Sequence, residues 1–347
     1  MKASTIFLAA TAALGVSVAN AASFLGIEHV VIFGVDGLGL EPLNALLSKN
    51  AVPSLIRIRQ HGTVTHKSLS VQPTVSLPNW MTIMSSGDPV VTSMDSNSWT
   101  PKKSNSVQPL DGTCTYYPTL YSVLNKYEPD AVTGAWYYWD TLKYVFRPAK
   151  YTKINKKVAT DEAAVNAFLA DIKTVQPRAS FVYLGDIDEV GHASGYGTAY
   201  DNQVKKTDGL IGEMLDAMKS VGMDYEKNTL IVVVTDHGRN IASGGRNHGS
   251  FTGPELNSQL VFAGPSSVIP QNKVLDIGFP KAVVSTTILA ALGHNAPSQW
   301  TGRVAYEFFT DSAVSTIRAE QQSTSKPAAF GWRYVDPEGV DKTCMSL

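Results

Sequence analysis

The stretch VIFGVDGLG, residues 31–39, closes a run of β-branched and aromatic residues that starts at His29, and it places Asp36 between Gly34 and Gly37. A short apolar run bounded by glycines is the pattern of one buried strand that stops where a loop begins. Two further stretches repeat it. LIVVVTDHG, residues 230–238, is the most strongly apolar run in the chain and ends on Asp236 and His237. YLGDIDEVGH, residues 183–192, follows a strand-like run at 181–184 and carries Asp188 and His192. Continuous apolar runs of this kind belong to parallel strands covered on both faces. The loops at the carboxyl ends of such strands are where α/β proteins place their chemistry. A fourth block, GGRNHG at 244–249, sets His248 in a glycine-rich loop.

Outward from these runs, strand-like and helix-like segments alternate. Strands are expected at 29–35, 63–71, 131–135, 181–184, 230–235 and 259–263. Helices are expected at 41–48, 54–60, 76–85, 117–126, 161–174, 200–221 and 281–292. The helix at 161–174 has Ala164, Val165, Phe168, Leu169 and Ile172 on one face, which is the spacing of an amphipathic helix. The expected fold is therefore α/β: a doubly wound, mostly parallel central sheet with helices on both faces. Two regions break the rhythm. Residues 95–155, with Trp136-Tyr137-Tyr138-Trp139, read as a cap-like insertion, although such an aromatic cluster is also ordinary core. Residues 313–347 read as a C-terminal extension packed on a domain spanning 22–312.

The 347 residues carry a net charge of −1 with no basic stripe or acidic tail, so duplex nucleic acid and anionic membrane are not the expected partners. Met1-Lys2, an apolar run from Ile6 to Val18 and Ala19-Asn20-Ala21 describe a secretory signal peptide at 1–21. The run is shorter than the roughly 20 apolar residues that span a bilayer, and export without a membrane span is the expectation. Cys114 and Cys344 are the two cysteines. In an oxidising compartment they form one bridge or remain two separate thiols.

Three carboxylates (Asp36, Asp188, Asp236) and three imidazoles (His192, His237, His248) have the number and ligand type for two divalent ions, zinc first among them. Each block alone has a plainer reading. Gly-x-Asp-Gly is common in turns, Asp-x-x-Gly-His serves as a surface turn, Asp236 would fix the tautomer of His237, and a loop histidine is usually solvated. Asp188 and His192 stand four apart with Gly191 between them, and a tight loop is expected to aim both at one ion. His29, His61, His66 and His294 lack such a setting and are assigned to structure. The nucleophile candidate is Ser76, in Gln72-Pro73-Thr74-Val75-Ser76-Leu77-Pro78-Asn79-Trp80, at the start of a helix where a hydroxyl is by default only a cap.

Taken together the blocks resemble the alkaline phosphatase superfamily, most closely its nucleotide pyrophosphatase/phosphodiesterase branch, in order over residues 29 to about 308. The resemblance implies one ion held by Asp188, His192 and His248. It implies a second held by Asp36, Asp236, His237 and the oxygen of Ser76, which acts as nucleophile through a phosphoseryl intermediate. It also implies that the amide of Asn97 helps hold a phosphoryl oxygen, and Asn97 fits by spacing although the usual His-Gly before it is missing. Leu77, beside the nucleophile, is expected to line the substrate pocket together with aromatic residues from 136–144.

No Lys or Arg occurs between Ser76 and Trp99, which favours a phosphate diester or nucleotide pyrophosphate over a dianionic monoester. Lys102, Lys103 and Arg147 are the cations that remain available to change this. Trp80 stands where the sulfatase pattern has Arg. A phosphomonoesterase, a phosphonate hydrolase and a catalytically silent metal-binding relative stay open, and oligomeric state is not legible.

Overall fold

The structure is a computed structural model that describes residues 23–100, 117–146 and 149–323. The expected signal peptide, both cysteines, Lys102, Lys103, Arg147 and the chain from 324 onward lie outside the described residues.

The strands are β1 (His29–Val35), β2 (Gly62–Leu69), β3 (Thr133–Tyr137), β4 (Ile154–Lys157), β5 (Ala179–Leu184), β6 (Thr229–Thr235), β7 (Asn257–Ala263), β8 (Lys273–Leu275) and β9 (Phe279–Pro280). Among the described residues they form one sheet in the order β4-β3-β5-β1-β6-β7-β2-β8, with β9 beside β2. Every pairing is parallel except those of β7 with β6 and with β2. The helices are α1 (Leu40–Ser48), α2 (Pro53–Gln60), α3 (Ser76–Ser85), α4 (Pro89–Thr92), α5 (Leu120–Tyr127), α6 (Asp161–Ile172), α7 (Asp186–Ser194), α8 (Thr198–Ser220), α9 (Gly253–Leu256), α10 (Val283–Ala291) and α11 (Asp311–Ser323).

Alternation along β1 divides the core in two. Val30 and Ile32 pack with α3, α5, α10 and α11 on one face. Val31, Phe33 and Val35 pack with α1, α2, α6 and α8 on the other. Both layers are dry because all seven residues of β1 are buried, and that explains why the run reads as unbroken apolar sequence. The doubly wound α/β architecture expected from the sequence is the one observed.

The register of the central strands decides where the chemistry lies. Val35 of β1 stands opposite Leu184 of β5 and Thr235 of β6. The next residue on β1 is Asp36 and the next on β6 is Asp236, so two carboxylates leave the sheet side by side.

The described portion of 95–155 supplies α5 and two strands of the main sheet, β3 and β4. Trp136 is fully buried on β3, packs edge-on to Phe168 at 5.0 Å and donates its indole N–H to Asp171. A strand buried on both faces needs bulky residues in succession, and the aromatic run meets that need. In the described part of the C-terminal stretch, α11 buries Ala313 and Ile317 in the core.

Gly34, two residues before Asp36, is a close-approach position. A Cβ there would lie 2.6 Å from the Phe181 ring and 3.0 Å from the Trp80 ring, both fully buried and unable to yield. Gly34→Ala is therefore expected to destabilise the fold by about 1–3 kcal/mol through overpacking. Urea unfolding checks this, and a variant as stable as the parent would show that the β1–α3 interface is looser than described.

Candidate metal centre and nucleophile

Asp36, Asp236 and His237 offer one ligand atom each, all within 4.8 Å of one another. The three are almost wholly removed from solvent, at 1%, 0% and 0% exposure. One oxygen of each carboxylate is spoken for. Asp36 Oδ2 accepts from Tyr183 OH at 2.7 Å and Trp80 Nε1 at 3.2 Å, and Asp236 Oδ1 accepts from the Gly37 N–H at 3.1 Å. The other oxygens, Asp36 Oδ1 and Asp236 Oδ2, are buried with no hydrogen-bond partner. They face His237 Nε2 at 3.5 and 3.3 Å. His237 Nδ1 donates to the Gly238 carbonyl at 2.9 Å, so the neutral ring directs a lone pair, not a proton, at those oxygens.

Lone pairs converging in a dry site repel, and burying carboxylate charge without compensation costs several kcal/mol per ion. The protonation equilibria show this stress. Burial, then the neighbouring Asp236 and Asp188, push the Asp36 carboxyl well above the usual range. Burial and Asp188 push Asp236 up to about 7. Burial, reinforced by His248, holds His237 well below the usual imidazole value. A divalent cation relieves all three at once, so the donor set fits a metal.

The second set is Asp188, His192 and His248, again within 4.8 Å. His192 Nε2 lies 3.2 Å from Asp188 Oδ2 and 3.0 Å from His248 Nε2. His248 Nδ1 donates to the Thr74 carbonyl at 2.8 Å, which leaves its Nε2 as an acceptor facing the other imidazole. Burial opposes charge on Asp188, yet the hydrogen bond from His192 and the positive charge of Arg239 outweigh it and hold that carboxyl below its usual range. The His237 and His248 rings stack at 3.7 Å, so the two sets adjoin.

The local structure behind Asp188 and His192 corrects the tight loop expected from the sequence. Asp186–Ser194 is a helix, α7, and a spacing of four places both side chains on one helical face. Gly191 sits inside that helix, and the chain leaves it at Gly195, which has a positive φ of 72°.

Ser76 begins α3, but its hydroxyl caps nothing. Val75 is the residue at the cap position, and Ser76 Oγ lies 3.3 Å from His237 Nε2. It therefore sits at the edge of the buried carboxylate pair. Asn97 is brought to the same place: its Oδ1 accepts from the Leu77 N–H at 2.8 Å. That contact fixes the amide orientation, with the NH₂ group turned away from Leu77 on an exposed residue. Leu77 departs from expectation. Its side chain is fully buried in the core beneath α3, so it offers no surface to a ligand.

Four more residues hold this arrangement, and of these the sequence had marked only Trp80, for a different reason. Tyr183 and Trp80 orient Asp36. Thr74 ties the nucleophile segment to the His248 loop through the Gly249 N–H and the Ser250 carbonyl. Arg239 contacts Asp188. The available signal was position: Tyr183 is the penultimate residue of β5, and Arg239 directly follows Asp-His-Gly.

The fold is alkaline-phosphatase-like. A solved 2-O GAG sulfatase superimposes with a TM-score of 0.63 at 16% identity, covering 87% of this chain and 76% of that one. Murine ectonucleotide pyrophosphatase/phosphodiesterase 5, solved as an inactive variant in complex with AMP, gives 0.62 at 11% identity, covering 82% of this chain and 100% of that one. The chain belongs to the type I phosphodiesterase / nucleotide pyrophosphatase family, whose model matches residues 30–268. Human ectonucleotide pyrophosphatase/phosphodiesterase family member 1 is 25% identical over 224 residues, which is 60% of this chain and 23% of the human protein. The chain thus matches about a quarter of the length of that relative.

The shift at Asp236 has a testable sign. In the metal-free protein its carboxyl titrates near 7 when folded and near 4 when unfolded. Its contribution to stability is present below about pH 4 and is lost as pH rises through about 7. Metal-free Asp236→Asn is therefore expected to be more stable than metal-free parent near pH 8, with the gap closing toward about pH 4. Added zinc should reverse the order, because the parent keeps both sets and is stabilised more than the variant, which keeps one. Thermal melts with and without chelator measure this, and a parent indifferent to zinc and chelator at both pH values would refute the metal fit.

Proposed function

We propose that this chain is an exported two-metal phosphodiesterase/nucleotide pyrophosphatase that hydrolyses phosphate diesters through a phosphoseryl intermediate on Ser76. The observation that carries the reading is the Ser76 hydroxyl at 3.3 Å from His237 Nε2, beside two buried carboxylate oxygens that have no partner. Family membership supports the reaction class.

Asp36, Asp236, His237 and Ser76 Oγ would hold one divalent ion, and Asp188, His192 and His248 the other. Such ions, zinc by ligand type, supply Lewis-acid charge stabilisation and lower the pKa of the serine hydroxyl. The remaining work falls to the chain. Ser76 Oγ gives up its proton to solvent and attacks phosphorus in line. The ester bond opposite breaks and its oxygen leaves as an alcohol or nucleotide protonated by water, and the covalent phosphoserine that forms is later cleaved by water. Asn97 is held by the Leu77 backbone through its Oδ1, which leaves its NH₂ group to donate to a phosphoryl oxygen of a substrate on Ser76. The Leu77 N–H is itself consumed in holding Asn97, so the side-chain amide does the donating.

A diester or nucleotide pyrophosphate is the favoured substrate class because Ser76 to Trp99 contains no Lys or Arg that would neutralise a dianionic group. The AMP in the related murine structure is compatible with a nucleotide. The fold likeness to a sulfatase does not extend to the nucleophile segment. Trp80 stands at the arginine position of that pattern and is committed to Asp36. The signal-peptide reading of residues 1–21 supports an extracellular or periplasmic site of action, and no described helix is long and apolar enough to cross a membrane.

Paired bis(p-nitrophenyl) phosphate and p-nitrophenyl phosphate assays test the proposal. Diester turnover is expected to exceed monoester turnover and to fall on the order of 10⁴-fold or more in Ser76→Ala. Asn97→Ala is expected to lower kcat by about 10²–10³-fold, the usual effect of removing one transition-state donor. Metal binding without turnover would identify a silent relative, and a faster monoester would overturn the substrate class.

A further inference from the structure

Arg239 is fully buried at 0% exposure, although a guanidinium keeps its charge under all ordinary conditions. Each of its three donor nitrogens has a partner. Nε donates to the Gly245 carbonyl, Nη2 to the Arg246 carbonyl at 2.7 Å, and Nη1 to Asp188 Oδ1. One side chain at the end of β6 thus grips the carboxylate on α7 and the glycine-rich loop that carries His248. The surroundings are shaped for it. A Cβ at Gly191 would lie 2.5 Å from the guanidinium carbon, and one at Gly37 would lie 3.0 Å from Nη1. The glycine inside α7 leaves room for the flat side of the guanidinium.

We propose that Arg239 is a positioning residue that assembles the Asp188–His192–His248 set by fixing Asp188 and the 244–248 loop together, leaving Asp188 Oδ2 as the single oxygen for an ion. The claim rests on the two-metal reading above and adds a division of labour to it. The Asp36–Asp236–His237 set takes no hydrogen bond from Arg239: its carboxylates are oriented by Tyr183, Trp80 and the Gly37 N–H. Loss of Arg239 therefore disables one set and spares the other. Lysine is not an adequate substitute, since a point charge lacks the planar fork that serves two carbonyls and a carboxylate at once.

The test compares the parent with Arg239→Met, Arg239→Lys and Gly191→Ala, using zinc-to-protein ratio and amide hydrogen exchange. The ratio is expected to drop from two to one in all three variants. Exchange of amides in 244–249 should become at least about tenfold faster, also in chelated protein. Gly191→Ala keeps the arginine, raises helix propensity and only displaces the guanidinium, so it decides the matter should Arg239→Met fail to fold. Two ions retained with unchanged loop protection in Arg239→Met or Gly191→Ala overturns the proposal, as does full rescue by Arg239→Lys. A parent that binds no zinc would instead sink the two-metal reading, while loop exchange in the metal-free proteins would still judge the role of Arg239.

Discussion

Negative charge gathered at one dry edge of a parallel sheet is the constraint on which this structure turns. The registers of β1 with β5 and β6 are set by apolar packing on both faces, and a slip of one residue would send every side chain to the wrong layer. That same packing forces Asp36 and Asp236 together where water cannot screen them. Neither can be moved without moving the core. The protein responds by satisfying one oxygen of each carboxylate, through Tyr183, Trp80 and the Gly37 N–H. It leaves the other oxygen of each open toward His237. A small cation would relieve the strain of a site built in this way.

Around that pair the rest of the site is stitched by contacts between segments far apart in sequence. Helix α7 brings Asp188 and His192 to one face, and the loop after β6 folds back to set His248 against them. Thr74 fastens the same loop to the segment that leads into α3. The stacked rings of His237 and His248 are the seam between the two ligand sets. Ser76 lies beside His237, one member of that seam, so its geometry depends on β6, on α3 and on the packing between them. The charge is asymmetric across the seam. Two carboxylates stand unneutralised on one side, whereas Asp188 on the other is already paired with Arg239.

Much of this was legible in the residue pattern for a physical reason. Strands covered on both faces must be apolar at every position, so β1 and β6 announce themselves, and the first charged residue after each marks the edge of the dry layer. Long helices such as α8 show their buried face by periodicity. Short elements were harder to read. Residues 186–194 looked like a loop because Gly191 lowers helix propensity, and only the packed arginine beside it explains why glycine is there. The aromatic run at 136–139 left cap and core both open, because its length and composition suit a pocket wall and a buried strand equally well. Whether Trp136 faces solvent or the underside of α6 depends on Phe168 and Asp171, more than thirty residues away. Leu77 was placed in a pocket on proximity to Ser76 alone, and the turn of α3 sends it into the core instead.

The chain's own pattern of residues determined the sheet, its burial on both faces and the kinds of atoms available at its carboxyl edge, because these follow from local composition and period. The tertiary structure alone decided which acids share a cavity, which oxygens are left without a partner and what Arg239 holds. Those outcomes depend on strand register and loop return, which bring together residues such as Gly37 and Asp236, 199 positions apart. No local pattern encodes contacts of that range.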